Sequence, residues 1–249
     1  MRKIFRSFIL ILGLLIIAFS GFKLLDIYTE YAEGKKLYDG YADRFIEEKG
    51  EKKEETGKID LISIDFDRLL EENEDIVGWI YSENTPINYP IVQSDDNDYY
   101  LRRMLDGTYN INGTIFMDSR NNPNLTDRNT IIYGHNIKNG AMFGTLKKYM
   151  DQDYYDKHPV IYYLRPDQSY EIQLVAGYVT EAWSDTYNIP QTLEEQKKLS
   201  EDMTSQSVFK SNISFGEGDK IITLSTCAYD FDGARYVVVG RLEPIVDED

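Results

Sequence analysis

The chain has 249 residues, 42% of them hydrophobic and 13% aromatic, which excludes a disordered polymer and suits one packed domain of about 150–200 residues with extensions. A net charge of −16 argues against the basic face that nucleic-acid binding requires. A single cysteine excludes an internal disulfide and a cysteine-rich metal centre, and with only His135 and His158 as imidazoles a zinc centre would need carboxylates to complete it.

The chain opens with Arg2, Lys3 and Arg6 before an uncharged run from Phe8 to Phe22. Fifteen helical residues rise only about 22 Å, short of the roughly 30 Å hydrocarbon core. Extension through Ile4 on one side and to Ile27 on the other closes the gap, with Arg6 and Lys23 reaching for the interfaces. A cleaved signal peptide is the competing reading, but the small-x-small site at Ala18, Phe19 and Ser20 is poor and apolar character continues past it. Residues 1–27 therefore read as an uncleaved anchor, with the basic end cytoplasmic and everything later outside the cell. Residues 28–59 are strongly charged, and Tyr28, Tyr31, Leu37, Tyr38, Tyr41 and Phe45 recur at near-helical spacing, as expected of a partly helical stalk. The domain proper is expected over 60–249.

Within it, Asp65 to Trp79 reads as an amphipathic helix, with Phe66, Leu69, Leu70, Ile76 and Val77 as its stripe, Asp65 as N-cap and Gly78 as stop. Short apolar runs follow at Ile80–Tyr81, Asn88–Val92, Gly113–Met117, Thr130–Gly134, Val160–Leu164, Tyr170–Val179, Lys220–Thr226 and Arg235–Leu242. Eight strands at this spacing point to a mostly β sandwich or barrel. One late helix is expected from the Thr192–Glu195 capping box to about Ser205, with Leu193, Leu199 and Met203 on its apolar side.

The chemistry gathers at Cys227, which ends one strand eight residues before Arg235 opens the next. The Asp232-Gly233 pair marks a tight reversal. A hairpin turning at Phe231 sets Cys227 opposite Arg235, with Cβ atoms roughly 5 Å apart. A fixed positive charge beside a thiol lowers its pKa and makes it nucleophilic. His135, at the end of the Thr130–Gly134 strand, stands where a catalytic imidazole belongs; His158, before Pro159, reads as turn surface. Taken singly, the three residues also fit an inert thiol, a loop histidine and an arginine paired with Asp230 or Asp232.

Thr223-Leu224-Ser225-Thr226-Cys227, with an arginine on the next strand, and Tyr133-Gly134-His135-Asn136 resemble the cysteine and histidine motifs of the sortases. The 65–80 segment, Asn97 to Leu101, Gly113 to Asp118 and the helix after Thr192 resemble class B. The resemblance covers about residues 60–244. It implies an eight-stranded β-barrel with added helices and a transpeptidase of the Gram-positive cell surface that needs no cofactor. Cys227 would attack the Thr carbonyl of an Asn-Pro-x-Thr-x sorting signal on a surface protein, His135 would serve as acid and then base, and Arg235 would bind the oxyanion. An amine of the cell-wall peptide, or a pilin lysine, would release the product. Asn97, Leu101, Ser225 and Thr226 match peptide-contacting positions, and the loop from Trp183 to Gln191 is expected to wall the site. Ala228 departs from members with a polar or acidic group after the cysteine, which leaves Asp230 or Asp232 as substitutes. A membrane-tethered binding module with an inert cysteine and a cysteine hydrolase remain as alternatives.

Overall fold

The computed structural model describes residues 2–47 and 62–246. The centre of the charged run, at 48–55, and the expected domain start at residue 60 lie outside the described residues. Helix α1 (Arg2–Phe45) leads into a ribbon of β1 (Ile46–Glu47) and β2 (Ser63–Ile64), then helix α2 (Phe66–Glu72). Strands β3 (Ile76–Tyr81), β4 (Asn88–Val92), β5 (Ile115–Met117) and β6 (Asn129–Tyr133) follow. Helix α3 (Gln152–Lys157), β7 (Val160–Leu164), β8 (Tyr170–Glu181), α4 (Leu193–Ser205), β9 (Ile221–Cys227) and β10 (Ala234–Pro244) complete the order. β3 to β10 close a barrel in the order β10-β8-β7-β3-β4-β5-β6-β9. Only the β4–β5 and β6–β9 pairings are parallel.

The strands close because their apolar residues alternate as a two-residue period demands. On β10, Tyr236 and Val238 belong to the interior cluster with Ile222 and Leu224 of β9. Val237 and Val239 belong to an outer cluster with Ile221, Ala176 and Tyr178. Leu199 and Met203 of α4 cover that outer cluster. α4 begins at the expected Thr192–Glu195 capping box. Its leading apolar residue, Leu193, stays 45% exposed. Gln196 is buried instead, accepting from Arg128 and donating to the Asp219 carbonyl.

The helix expected over 65–79 ends early. Asp65 caps α2 through the Arg68 amide, but Asn73 leaves the helix in extended backbone, and Ile76 to Trp79 form β3. Gly78 is a strand residue rather than a helix stop. A Cβ there would stand 2.5 Å from the Tyr163 ring, so only glycine lets β7 approach this closely.

The segment read as a stalk also packs. Gly34, Tyr38, Tyr41 and Phe45, spaced by three or four residues, form one buried face of α1. The Tyr38 hydroxyl lies 3.0 Å from the Gly113 carbonyl, to which it donates, and 2.7 Å from Thr114 Oγ1. The last third of α1 is thus part of the main core.

Candidate active site

β9 and β10 pair with Cys227 opposite Arg235, the register expected of a hairpin centred on Phe231. The turn closes through the Ala234 amide to the Phe231 carbonyl, with Gly233 at φ +76°, a left-handed conformation that favours glycine. On the other flank of Cys227, the parallel β6–β9 register runs from Asn129↔Ile221 to Tyr133↔Ser225. The Gly134 amide then donates to the Ser225 carbonyl at 3.1 Å. One residue beyond His135 the ladder is continued by a side chain, as Asn136 Nδ2 donates to the Cys227 carbonyl at 2.7 Å. Three strand ends therefore bring Cys227, His135 and Arg235 to one end of the barrel. By alternation, Cys227 and Arg235 share the outward face of Ser225 and Val237.

Cys227 is a free, half-buried thiol. His135 is half-buried, with Nε2 2.6 Å from the Leu101 carbonyl. A carbonyl only accepts, so Nε2 carries the proton and Nδ1 is the open nitrogen of the neutral ring. Burial lowers the His135 pKa below the ordinary imidazole value. The Arg102 and Arg235 charges push the same way, against the Leu101 bond, which raises it. Arg235 donates from Nη1 to the Ala234 carbonyl at 3.0 Å and the Gly233 carbonyl at 3.5 Å. Nε and Nη2 remain open to a ligand among the described residues.

Among the described residues, no carboxylate is paired with the imidazole in the way the sequence left open. Asp230 is paired with Lys147 at 3.0 Å, and Asp232 is exposed in the turn. Of the other expected contact residues, Asn97, Leu101 and Ser225 hold structural partners. Asn97 Oδ1 accepts from the Ser119 amide at 2.8 Å, and Leu101 supplies its carbonyl to His135. Ser225 is buried, its hydroxyl 2.9 Å from that of Tyr187. Thr226 is buried on the interior face, opposite Tyr236. His158 caps the C-terminus of α3 with its backbone amide. Among the described residues there is no group of three or more His, Cys, Asp or Glu side chains suited to a metal ion.

The 183–191 loop lies on the outward face, fastened by residues the sequence left without a role. Asp118, fully buried, accepts two bonds from the Arg120 guanidinium at 2.8 Å and one from the Tyr133 hydroxyl at 2.9 Å. Burial works to raise its pKa, but these bonds outweigh it and hold the carboxyl below the usual range. Arg120 also donates to the Tyr187 carbonyl at 3.1 Å, and the Tyr133 and Tyr187 rings stack at 6.1 Å. Asn129 donates to the Thr186 and Asn188 carbonyls. The Tyr187 hydroxyl, set on Ser225, lies within electrostatic reach of both Cys227 and Arg235. An aspartate followed two residues later by arginine, after a strand, was the available signal for this network.

A family profile described as the Sortase domain matches residues 80–243, a span that holds all three strand ends. The chain belongs to the sortase family. Sortase B of Listeria monocytogenes is 42% identical over 180 residues, covering 70% of this chain and 72% of that protein. Sortase B of Staphylococcus aureus is 31% identical over 251 residues, covering 96% and 97%. Among solved structures, the Staphylococcus aureus sortase B–substrate complex superposes with TM-score 0.69 at 32% identity, covering 73% of this chain and 85% of that one. A sortase B complexed with triglycine gives 0.68 at 33%, covering 73% and 86%. The class B resemblance and the closed eight-stranded barrel both hold, and the chain is a sortase transpeptidase.

Proposed function

We propose that this sortase is membrane-anchored through α1, cleaves an Asn-Pro-x-Thr-x sorting signal after Thr, and transfers the acyl group through a thioester on Cys227 to a cell-wall amine. The opposition of Cys227 and Arg235, with His135 on the neighbouring strand end, carries the reading. The thiolate attacks the Thr carbonyl, forming a C–S bond as the scissile C–N bond breaks. Imidazolium His135 gives its proton to the departing amine. The acceptor amine then attacks the thioester, the C–S bond breaks, and the amine proton passes to His135. Arg235 faces the oxygen that becomes negative, with Nη1 held by the hairpin's own carbonyls and its remaining donors aimed outward.

The substrate complex and the triglycine complex of related sortases support a peptide donor and an amine acceptor. α1 supports the anchor: it contains an apolar window with mean hydropathy 2.5, and basic residues precede that run. The cytoplasmic placement of the basic end follows from the positive-inside rule.

The test is cleavage of an Asn-Pro-x-Thr-x peptide with and without an added amine, followed by mass spectrometry of the protein. The native chain should carry a thioester adduct on Cys227 and form amide product only with the amine. Cys227→Ala should show neither adduct nor cleavage. Arg235→Lys, which keeps the charge but loses the fork, should lower kcat by roughly 10²–10³ with a smaller change in KM. Full cleavage by Cys227→Ala would sink the proposal, and hydrolysis unaffected by amine would make the chain a hydrolase.

A further inference from the structure

We infer that α1 is a rigid strut that holds the catalytic domain flush against the lipid surface, with Tyr109 and its loop at headgroup level. This rests on the anchor reading above. Helix α1 runs unbroken from Arg2 to Phe45, about 66 Å. Its large apolar side chains are exposed from Ile4 through Ile27, and Tyr28 is 71% exposed. Docking starts almost at once. The Glu30 carboxylate accepts from the Ile111 amide at 3.0 Å, and the Glu30 carbonyl accepts from Asn110 Nδ2 at 3.4 Å. Asn112 Nδ2 donates to the Tyr31 carbonyl at 3.2 Å. Gly34 lets that loop close in, since a Cβ there would stand 1.8 Å from Asn112 Nδ2.

Only two residues, Tyr28 and Thr29, lie between Ile27 and Glu30, which are about 4.5 Å apart along the helix. No proline interrupts α1, and the buried face at Gly34, Tyr38, Tyr41 and Phe45 continues the attachment away from the membrane. A domain clamped so close to the apolar segment has little freedom of height or tilt. Among the described residues, the hydrogen bonds to α1 that lie closest along the helix to the apolar segment come from the loop that carries Tyr109, 64% exposed and next to Asn110. Two exposed tyrosines, Tyr28 on the helix and Tyr109 on the loop, suit the interfacial level where an aromatic ring with a polar tip is most stable. The surface these rings fit is met through their amphipathic character rather than through charge, so a zwitterionic lipid surface suffices for it.

The experiment places the full chain in phosphatidylcholine vesicles, with Tyr109→Trp as reporter in a Trp183→Phe background that leaves only the buried Trp79. Nitroxide carried on the lipid headgroup should quench the reporter at least twofold more than nitroxide deep in the acyl chain. Inserting twelve Gly/Ser residues between Tyr28 and Thr29 adds a coil of about 20 Å and leaves the docked face intact. That insertion should reduce headgroup quenching to the level of Trp79 alone; made by itself in the otherwise native chain, it should retain peptide cleavage in detergent. Equal quenching in both forms, or none in either while the protein floats with the vesicles, overturns the strut but not the anchor. Failure to float overturns both.

Discussion

Nε2 of His135 is committed to the Leu101 carbonyl at 2.6 Å, so a proton arriving at the ring enters at Nδ1. Burial, Arg102 and Arg235 together disfavour that imidazolium. Folding thus favours neutral His135, and the unfolded chain binds the proton more readily. The stability contributed is complete above the unfolded value of about 6.5 and is lost as pH falls through it towards the lower folded value. Thermal unfolding between pH 7.5 and 5.5 should show a drop in Tm that is smaller in His135→Gln; equal drops would refute the assignment. At this scale the sequence was partly legible. Cys227 opposite Arg235 followed from turn position alone, because a two-residue period fixes the pairing once the reversal is known. The partner of His135 did not, since Leu101 lies 34 residues away and acts through its backbone. Ser225 and Thr226 were expected at the peptide surface. The strand alternation instead sends Thr226 inside, and Tyr187 takes the hydroxyl of Ser225.

Among the elements, the 183–191 loop is held to the barrel largely by side chains. Its hold on the barrel passes through Arg120, whose guanidinium joins the buried Asp118 to the Tyr187 carbonyl. Arg120→Met keeps the stem but strips Asp118 of its charged donors, and Tyr133 and the residue-120 amide remain. A bond to a charged group is worth about 1.5–3 kcal/mol, and the half-exposed guanidinium places the cost towards the lower end. Urea unfolding should give a loss of that order, and peptide KM should rise more than kcat falls. An unchanged KM would show that the loop is held without Arg120. The sequence named this loop and Ser225 but gave no residue the role of an anchor; the anchors sit on β6, on β9 and on the turn after β5, distant along the chain. It also carried a helix through Ile76 and Val77, because a mostly buried strand with a glycine can imitate the end of an amphipathic stripe. The capping box at Thr192 was read correctly, since both of its partners are local.

For the molecule as a whole, the tyrosines of α1 decide where the domain begins. Composition marked residues 28–59 as a charged stalk, yet Tyr38, Tyr41 and Phe45 are at most 3% exposed. Apart from Glu30, the charges between residues 28 and 45 are exposed on the same helix, so net polarity hid a buried stripe. Burying each of these aromatics contributes about 1.5–3 kcal/mol, or roughly 5–9 kcal/mol for three, which compares with the whole stability of a typical domain. The Tyr38 hydroxyl also braces Gly113 and Thr114. The Thr114 amide in turn donates to the Tyr100 carbonyl, next to the Leu101 carbonyl that holds His135. A fragment covering residues 29–249 should therefore melt cooperatively and cleave peptide. One covering 62–249 should melt at least 10 °C lower, given about 2–4 °C per kcal/mol for a chain of this size, and lose activity before it loses its barrel. Circular dichroism melts of the two fragments beside peptide cleavage check this. Equal melting temperatures would return α1 to the role of a stalk.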